Sequence, residues 1–116
     1  MQNFKNLLVW QKSHEFTLAV YRVTNSFPVS ENFGLISQLR RASASIGANI
    51  SEGCGRRTQK DFASFLFNAL GSTKECENHL LLSKDLGYLK EQEFNKLINQ
   101  VTEIEKMLHS LIKKIQ

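Results

Sequence analysis

Hydrophobic residues recur at spacings of three and four along almost the whole chain, which is the periodicity of amphipathic α-helices that bury one face. The first such stretch covers residues 7–26. Phe27-Pro28 should end it, because proline pushes the residue before it out of the helical conformation. Its apolar face is carried by Trp10, Ser13, Thr17, Val20, Thr24 and Phe27, and is widened by Val9, Phe16 and Val23.

The second stretch should begin near Ser30, a residue type that caps helix N-termini. It should end in the glycines of residues 53–55, because glycine readily terminates helices. The core-facing positions predicted for this helix are Leu35, Leu39, Ala42, Ile46, Ile50 and Gly53.

Two further helices are predicted in the second half of the chain. One begins after the N-cap residue Thr58 and ends near Leu86-Gly87. The other runs from about Lys90 to the C-terminus and carries an apolar seam at heptad spacing. The predicted core positions are Phe62, Leu66, Ala69, Thr73, Cys76, Leu80 and Ser83 in the third helix, and Phe94, Leu97, Val101, Ile104, Leu108, Leu111 and Ile115 in the fourth.

Four amphipathic helices joined by short loops predict an all-α fold, an antiparallel up-down four-helix bundle. The chain has 116 residues with one proline and six glycines, which favours long helices over many short strands. This length is typical of one domain, so residues 1–116 are interpreted as a single four-helix bundle domain.

The second helix has two unusual faces beside its core stripe. Ser43 and Gly47 belong to a strip of small residues, and glycine weakens a helix unless another backbone approaches closely. Two interpretations remain open for this strip, namely tight packing within the chain or a subunit interface. The polar stripe on the other side contains Gln38, Arg41, Ser45, Asn49 and Glu52.

Two interpretations also remain open for the polar stripe. In the structural one, Arg41 or Glu52 meets the acidic group of the third helix, Glu75 and Glu77, and Asn49 forms a hydrogen bond with a loop or a helix end. In the functional one, the stripe is a polar groove that binds a partner.

The net charge of +4 permits an anionic partner, and the arginines are concentrated in residues 30–57. Arginine binds phosphate through a planar, two-pronged fork. The residues predicted to contact nucleic acid are therefore Arg40, Arg41, Arg56, Arg57 and Lys60. Because no aromatic platform for base stacking is evident, we expect contact with the phosphate backbone of RNA or DNA.

No catalytic, metal-binding or cofactor motif is present. His14, His79 and His109 are scattered, and Cys54 and Cys76 form no CxxC pair, although Arg56 and Arg57 could lower the pKa of Cys54. No signal peptide or membrane span is apparent. The sequence therefore predicts a non-enzymatic protein of the cytoplasm with no cofactor and no membrane partner.

Over roughly residues 7–89 the chain resembles a known family. The matching residues are Trp10-Gln11-Lys12, Tyr21, Phe27-Pro28, Glu31, Gly34-Leu35, residues 38–42, Ser45-Ile46, Asn49-Ile50, Glu52-Gly53, Gly55-Arg56, Phe62, Phe65-Leu66, Ala69, Gly71-Ser72, Glu75, Glu77 and Leu86-Gly87-Tyr88. They resemble the four-helix bundle proteins encoded in intervening sequences of 23S ribosomal RNA, also labelled S23 ribosomal proteins. Gly47 departs from the proline that this family often carries there.

That resemblance implies a homopentameric barrel. It also implies kinship with the accessory variability protein of diversity-generating retroelements, which binds a reverse transcriptase and nucleic acid. The expected partners are therefore further copies of the chain, RNA or DNA, and a reverse-transcriptase-like or other protein. A protein-interaction scaffold without nucleic-acid contact is the alternative function.

Overall fold

The computed structural model describes residues 3–116 of the chain. Four long α-helices contain most of them, and no strand occurs in this range. The elements in chain order are a short 3-10 helix at Phe4–Asn6, α1 (Leu8–Thr24), a second 3-10 helix at Val29–Glu31, α2 (Leu35–Cys54), α3 (Gln59–Asp85) and α4 (Glu91–Ile115).

The helices form the predicted antiparallel four-helix bundle. Each helix packs against the next along the chain, and α1 also contacts α4, which closes the bundle. The molecule measures 43 × 24 × 20 Å, so it is an elongated rod. Within residues 3–116, no helix combines the length and the apolar character that crossing a membrane requires.

The start of α2 differs from the prediction. Ser30 lies exposed in the second 3-10 helix, and α2 begins only at Leu35. The carboxylate of Glu31 accepts a hydrogen bond from the Leu35 backbone N–H at 3.2 Å. Glu31 therefore satisfies one of the free amides of the first turn, a role that the sequence analysis gave to Ser30.

The predicted ends of α3 are confirmed, whereas α1 ends at Thr24, two residues before the predicted end at residue 26. Thr58 Oγ1 accepts the backbone N–H of Asp61 at 3.1 Å, so Thr58 is the N-cap of α3. After α3, Gly87 adopts a φ of 82°, the left-handed region that glycine enters without strain. The Gly87 N–H then donates to the carbonyl oxygen of Lys84 at 2.9 Å. This turn reverses the chain into α4.

All predicted core positions of α2 and α3 are buried. In α1, Trp10 and Thr17 are only half-buried. In α4, Leu111 and Ile115 are half-buried, whereas Ile112 is buried in their place. A nearly straight α-helix drifts about 20° per heptad away from a strict seven-residue repeat. The heptad interpretation therefore fails in the last turns of α4.

Candidate nucleic-acid interface

Positive charge is concentrated at one end of the rod, where α2 ends, α3 begins and the last turn of α4 lies beside them. We call this region the basic end. It contains five cationic residues and two acidic ones, so it carries three of the four excess positive charges of the chain. Its charged residues are Arg56, Arg57, Lys60, Lys113 and Lys114, together with Glu52 and Asp61.

The Arg56 guanidinium is held in place by two neighbours. Its Nη2 lies 2.8 Å from Glu52 Oε2, one helical turn away. Its guanidinium carbon lies 4.6 Å above the centre of the Phe65 ring, a cation–π geometry. Arg56 is therefore oriented before any ligand arrives, although Glu52 neutralises part of its charge.

Arg57 and Lys60 have no such neighbours. Both side chains are exposed, and neither makes an ion pair or a side-chain hydrogen bond with any residue between 3 and 116. Binding a phosphate would break no existing contact of theirs. These two residues are therefore the most accessible cations among the predicted contacts.

Arg40 has a structural role at the opposite end of the rod. Its Nε donates to Thr24 Oγ1 at 2.8 Å, and its Nη2 donates to Asn25 Oδ1 at 3.0 Å. The guanidinium also lies 4.7 Å above the Tyr21 ring. Sixteen residues separate Arg40 from Arg56, which is about 24 Å along a helix. Arg40 therefore ties α2 to α1 and lies far from the basic end.

Arg41 belongs to a polar network between α2 and α3. It forms an ion pair with Glu75, as the structural interpretation predicted, and also donates to Gln38 Oε1 at 2.9 Å. His79 Nε2 lies 3.1 Å from the same Glu75 oxygen. The other ring nitrogen of His79 is buried, without a partner in the described part of the chain. The five predicted nucleic-acid contacts thus do not form one patch.

The rest of the polar stripe also has partners within the chain. Ser72 of α3 donates to Ser45 Oγ at 3.0 Å. Asn49 donates to the Ser45 carbonyl at 2.9 Å, so its bond stays within α2 and does not reach a loop or helix end. Glu52 pairs with Arg56 and not with α3. Every residue of the proposed groove therefore already has a partner within the chain, and Arg41 and Ser45 link α2 to α3.

The small-residue strip faces α1 of the same chain. Ser43 is fully buried, and its carbonyl accepts the Thr17 hydroxyl at 3.0 Å. A Cβ at Gly47 would lie 3.3 Å from Trp10 Nε1. These contacts account for the small side chains within one protomer. The Ser43 side chain has no surface left for a second copy, and an interface beside the half-buried Gly47 stays a prediction.

The cysteines carry no activated thiol. Both are buried, and burial raises the pKa of Cys54. The predicted lowering of that pKa by Arg56 and Arg57 is therefore wrong. Burial, followed by the neighbouring charge of Glu75, raises the pKa of Cys76 to about 12. Within residues 3–116, no group of three His, Cys, Asp or Glu residues is placed to hold a metal ion.

Sequence reasoning missed two features. Lys113 and Lys114 join the basic end because antiparallel α4 terminates beside the α2–α3 loop, which the predicted topology could have indicated.

The second missed feature is a pair of carboxyl groups between α3 and α4, where Lys74 Nζ is 2.7 Å from Glu105 Oε2 and 3.4 Å from Glu77 Oε1. Glu105 is buried despite being charged, and its position in the helical pattern gave no signal of this.

Glu77 and Glu105 have opposite pKa shifts. A hydrogen bond to Glu105, reinforced by burial, raises the pKa of Glu77. Burial alone would raise the pKa of Glu105, but hydrogen bonds from Glu77 and Lys74 outweigh it and lower that pKa. Glu77 is therefore the carboxyl group of the pair that holds a proton more readily.

The comparisons with known proteins fit this architecture. The family model of the 23S rRNA-intervening sequence protein matches residues 5–110. The chain belongs to this family. It is similar to the crystal structure of a protein with unknown function from the S23 ribosomal protein family of Bacteroides thetaiotaomicron, with 32% sequence identity and a TM-score of 0.82. That match covers 91% of this chain and 99% of the other. None of the curated proteins compared matches the chain in sequence.

Proposed function

We propose that this member of the 23S rRNA-intervening sequence protein family is a non-enzymatic RNA-binding bundle that contacts phosphates through the basic end. The observation that carries the proposal is the pair Arg57 and Lys60, which are exposed and unpaired within residues 3–116. Oriented Arg56 extends the same surface, and Lys113 and Lys114 lie in the last turn of α4 at the same end of the rod. Several cations on one surface favour salt-sensitive phosphate binding.

Arg40 and Arg41 are withdrawn from the predicted contacts in this proposal. Their guanidinium groups already bind Thr24, Asn25 and Glu75, and a phosphate would have to displace those partners. The proposed contacts are Arg56, Arg57 and Lys60.

We further propose that the protein acts as a homo-oligomer, a pentamer by resemblance. Five copies would present five basic ends to one RNA, which raises affinity through multivalency. The two free, buried thiols are in keeping with the reducing cytoplasm, where we place the assembly.

The test is a charge reversal at the two unpaired cations. R57E/K60E removes two of the three proposed contacts without breaking a side-chain hydrogen bond or ion pair of the described residues, and should lower affinity for a structured RNA by at least about tenfold at low salt. The matched control is R22E/K96E, which reverses two exposed charges on α1 and α4 near the opposite end. Equal affinity of the two variants would contradict the proposal.

A protein-interaction scaffold, for example for a reverse-transcriptase-like enzyme, is the second candidate. The partly exposed Arg41–Glu75 pair favours it, because this polar surface could bind a partner at its rim. Affinity capture from a nuclease-treated lysate separates the two functions. A partner protein retained without nucleic acid, and lost on R41E, would support the scaffold.

A further inference from the structure

A cleft opens inside the basic end, where the last turn of α4 closes over the junction of α2 and α3. Its volume is about 390 Å³. Sites for small molecules in proteins typically have volumes of about 300–1,000 Å³. The cleft is thus large enough for one small ligand and too small for the backbone of a nucleic-acid duplex.

The residues that line the cleft combine two kinds of chemistry. Arg56, Arg57 and Gln59 supply charged and polar groups, whereas Cys54, Phe62 and Ile115 supply apolar surface. No Asp or Glu lines the cleft among the described residues. A ligand that matches both sets of residues carries a negative charge together with a flat or apolar body.

The charged and polar residues of the cleft favour a nucleotide over a lipid with an anionic head. Arg57 is unpaired, and its guanidinium can hold two phosphate oxygens at once. The Gln59 amide offers both donors and an acceptor, which suits the polar edge of a base. An acyl chain offers that amide no hydrogen-bond partner, whereas the edge of a base offers both donors and acceptors.

We infer that the cleft binds one unpaired nucleotide, with the phosphate on Arg57, the base against Phe62 and Ile115, and its edge on Gln59. For RNA, this inference rests on the function proposed above. Paired bases stay stacked within the duplex, so only strand ends, bulges and loops can deliver a base to such a cleft. The basic end would then distinguish unpaired from fully paired RNA.

A titration with adenosine monophosphate tests the cleft without depending on RNA. Amide NMR spectra should show shifts confined to residues around Gln59, Phe62 and Ile115, with half-saturation near about 1 mM. Q59W, whose indole fills the cleft, should abolish these shifts. Q92W places the same side chain at an exposed glutamine in the first turn of α4 and should not affect them. Inorganic phosphate or octyl phosphate producing equal shifts at equal concentration would overturn the inference.

A second experiment compares two RNAs with equal numbers of phosphates, one a blunt duplex and one with a single-stranded overhang. The overhang should bind about tenfold more tightly, and Q59W should remove that preference while duplex affinity persists. R57E/K60E should weaken both. Equal binding of the two RNAs by the wild type would overturn the inference and leave the proposed function standing. If neither RNA binds, the proposed function fails, and the titration with adenosine monophosphate alone decides whether the cleft binds a nucleotide.

Discussion

Gly53 and Gly71 both lie inside helices but have different surroundings. A Cβ at Gly53 would come within 2.9 Å of Phe62 and of the Phe65 Cβ, whereas one at Gly71 would meet nothing within 4 Å. Alanine favours helix interiors over glycine by about 1 kcal/mol. We expect G71A to stabilise the protein by about that amount.

The same substitution at Gly53 should have the opposite effect. The close contacts of the added methyl group should cost about 1–3 kcal/mol, more than the helix preference returns. Urea unfolding of both variants measures the free energies directly. A G53A protein as stable as G71A would contradict the close approach between α2 and α3.

Substitution of Arg40 should affect stability, whereas substitution of Arg57 should affect RNA binding. R40A loses charged hydrogen bonds to Thr24 and Asn25, and we expect a loss of about 1–3 kcal/mol in the free energy of unfolding with unchanged RNA affinity. R57A should leave stability unchanged and weaken RNA binding. Thermal melts paired with binding titrations check both halves, and an R40A protein with native stability and weakened binding would reverse these assignments.

At this scale the sequence predicts residue chemistry better than residue placement. The hydrophobic pattern correctly predicted that Cys76 is buried. The ion pair between Arg41 and an acidic residue of α3 was also predicted correctly. The sequence did not separate Arg40 from Arg57, because an arginine near a helix end looks the same whether its partner is Thr24 or solvent. Only the position of the neighbouring helix decides this.

The contact between α3 and α4 should depend on pH through Glu77. The folded state raises the pKa of Glu77, so protonated Glu77 stabilises the folded protein. This stabilisation is full below the ordinary glutamate pKa of about 4.3 and is lost as pH rises through the raised pKa. The pKa of Glu105 is lowered, so the ionised Glu105 stabilises the folded protein. That stabilisation is present above the ordinary glutamate pKa and is lost as pH falls through the lowered pKa of Glu105.

E77Q keeps a hydrogen-bond donor for Glu105 and removes the like charge. We therefore expect its stability relative to wild type to increase with pH across this window and then level off at neutral pH. Urea unfolding at stepped pH values measures the difference. E15Q, which removes an exposed α1 charge that has no ion pair within the described residues, is the control, and a pH-independent E77Q difference would refute the coupling.

Element boundaries followed from local chemistry where the cap lies next to the helix. Thr58 and Gly87 act within one turn of the ends they set, so both were predictable. Glu31 reaches α2 from within a 3-10 helix that the periodicity did not reveal. The buried positions in the last turns of α4 were misjudged because a repeat of seven does not match a straight helix of 3.6 residues per turn.

The whole molecule should bind RNA with a steep salt dependence. The logarithm of the binding constant falls against the logarithm of salt concentration with a slope of about −0.7 to −0.9 for each phosphate contacted. If all five cations of the basic end make contact, one protomer gives a slope of about −3 to −5. A titration series in potassium chloride measures it, with light scattering giving the oligomeric mass.

R57E/K60E should reduce the magnitude of that slope by about 2 per engaged protomer. The control variant R22E/K96E should preserve it. A slope near zero for the wild type would mean that phosphate charge is not what the protein recognises.

Burial of the two thiols makes them natural reporters of how the rod opens. Only the thiolate reacts with alkylating reagents, and burial raises the pKa of both thiols, so we expect slow labelling of both cysteines in the closed rod. Cys54 lies in the last turn of α2, whereas Cys76 lies in the middle of α3. The labelling rate of the first would follow local fraying of the basic end, and that of the second would follow cooperative opening of the core. If RNA seals the basic end, it should slow alkylation of Cys54 more than that of Cys76.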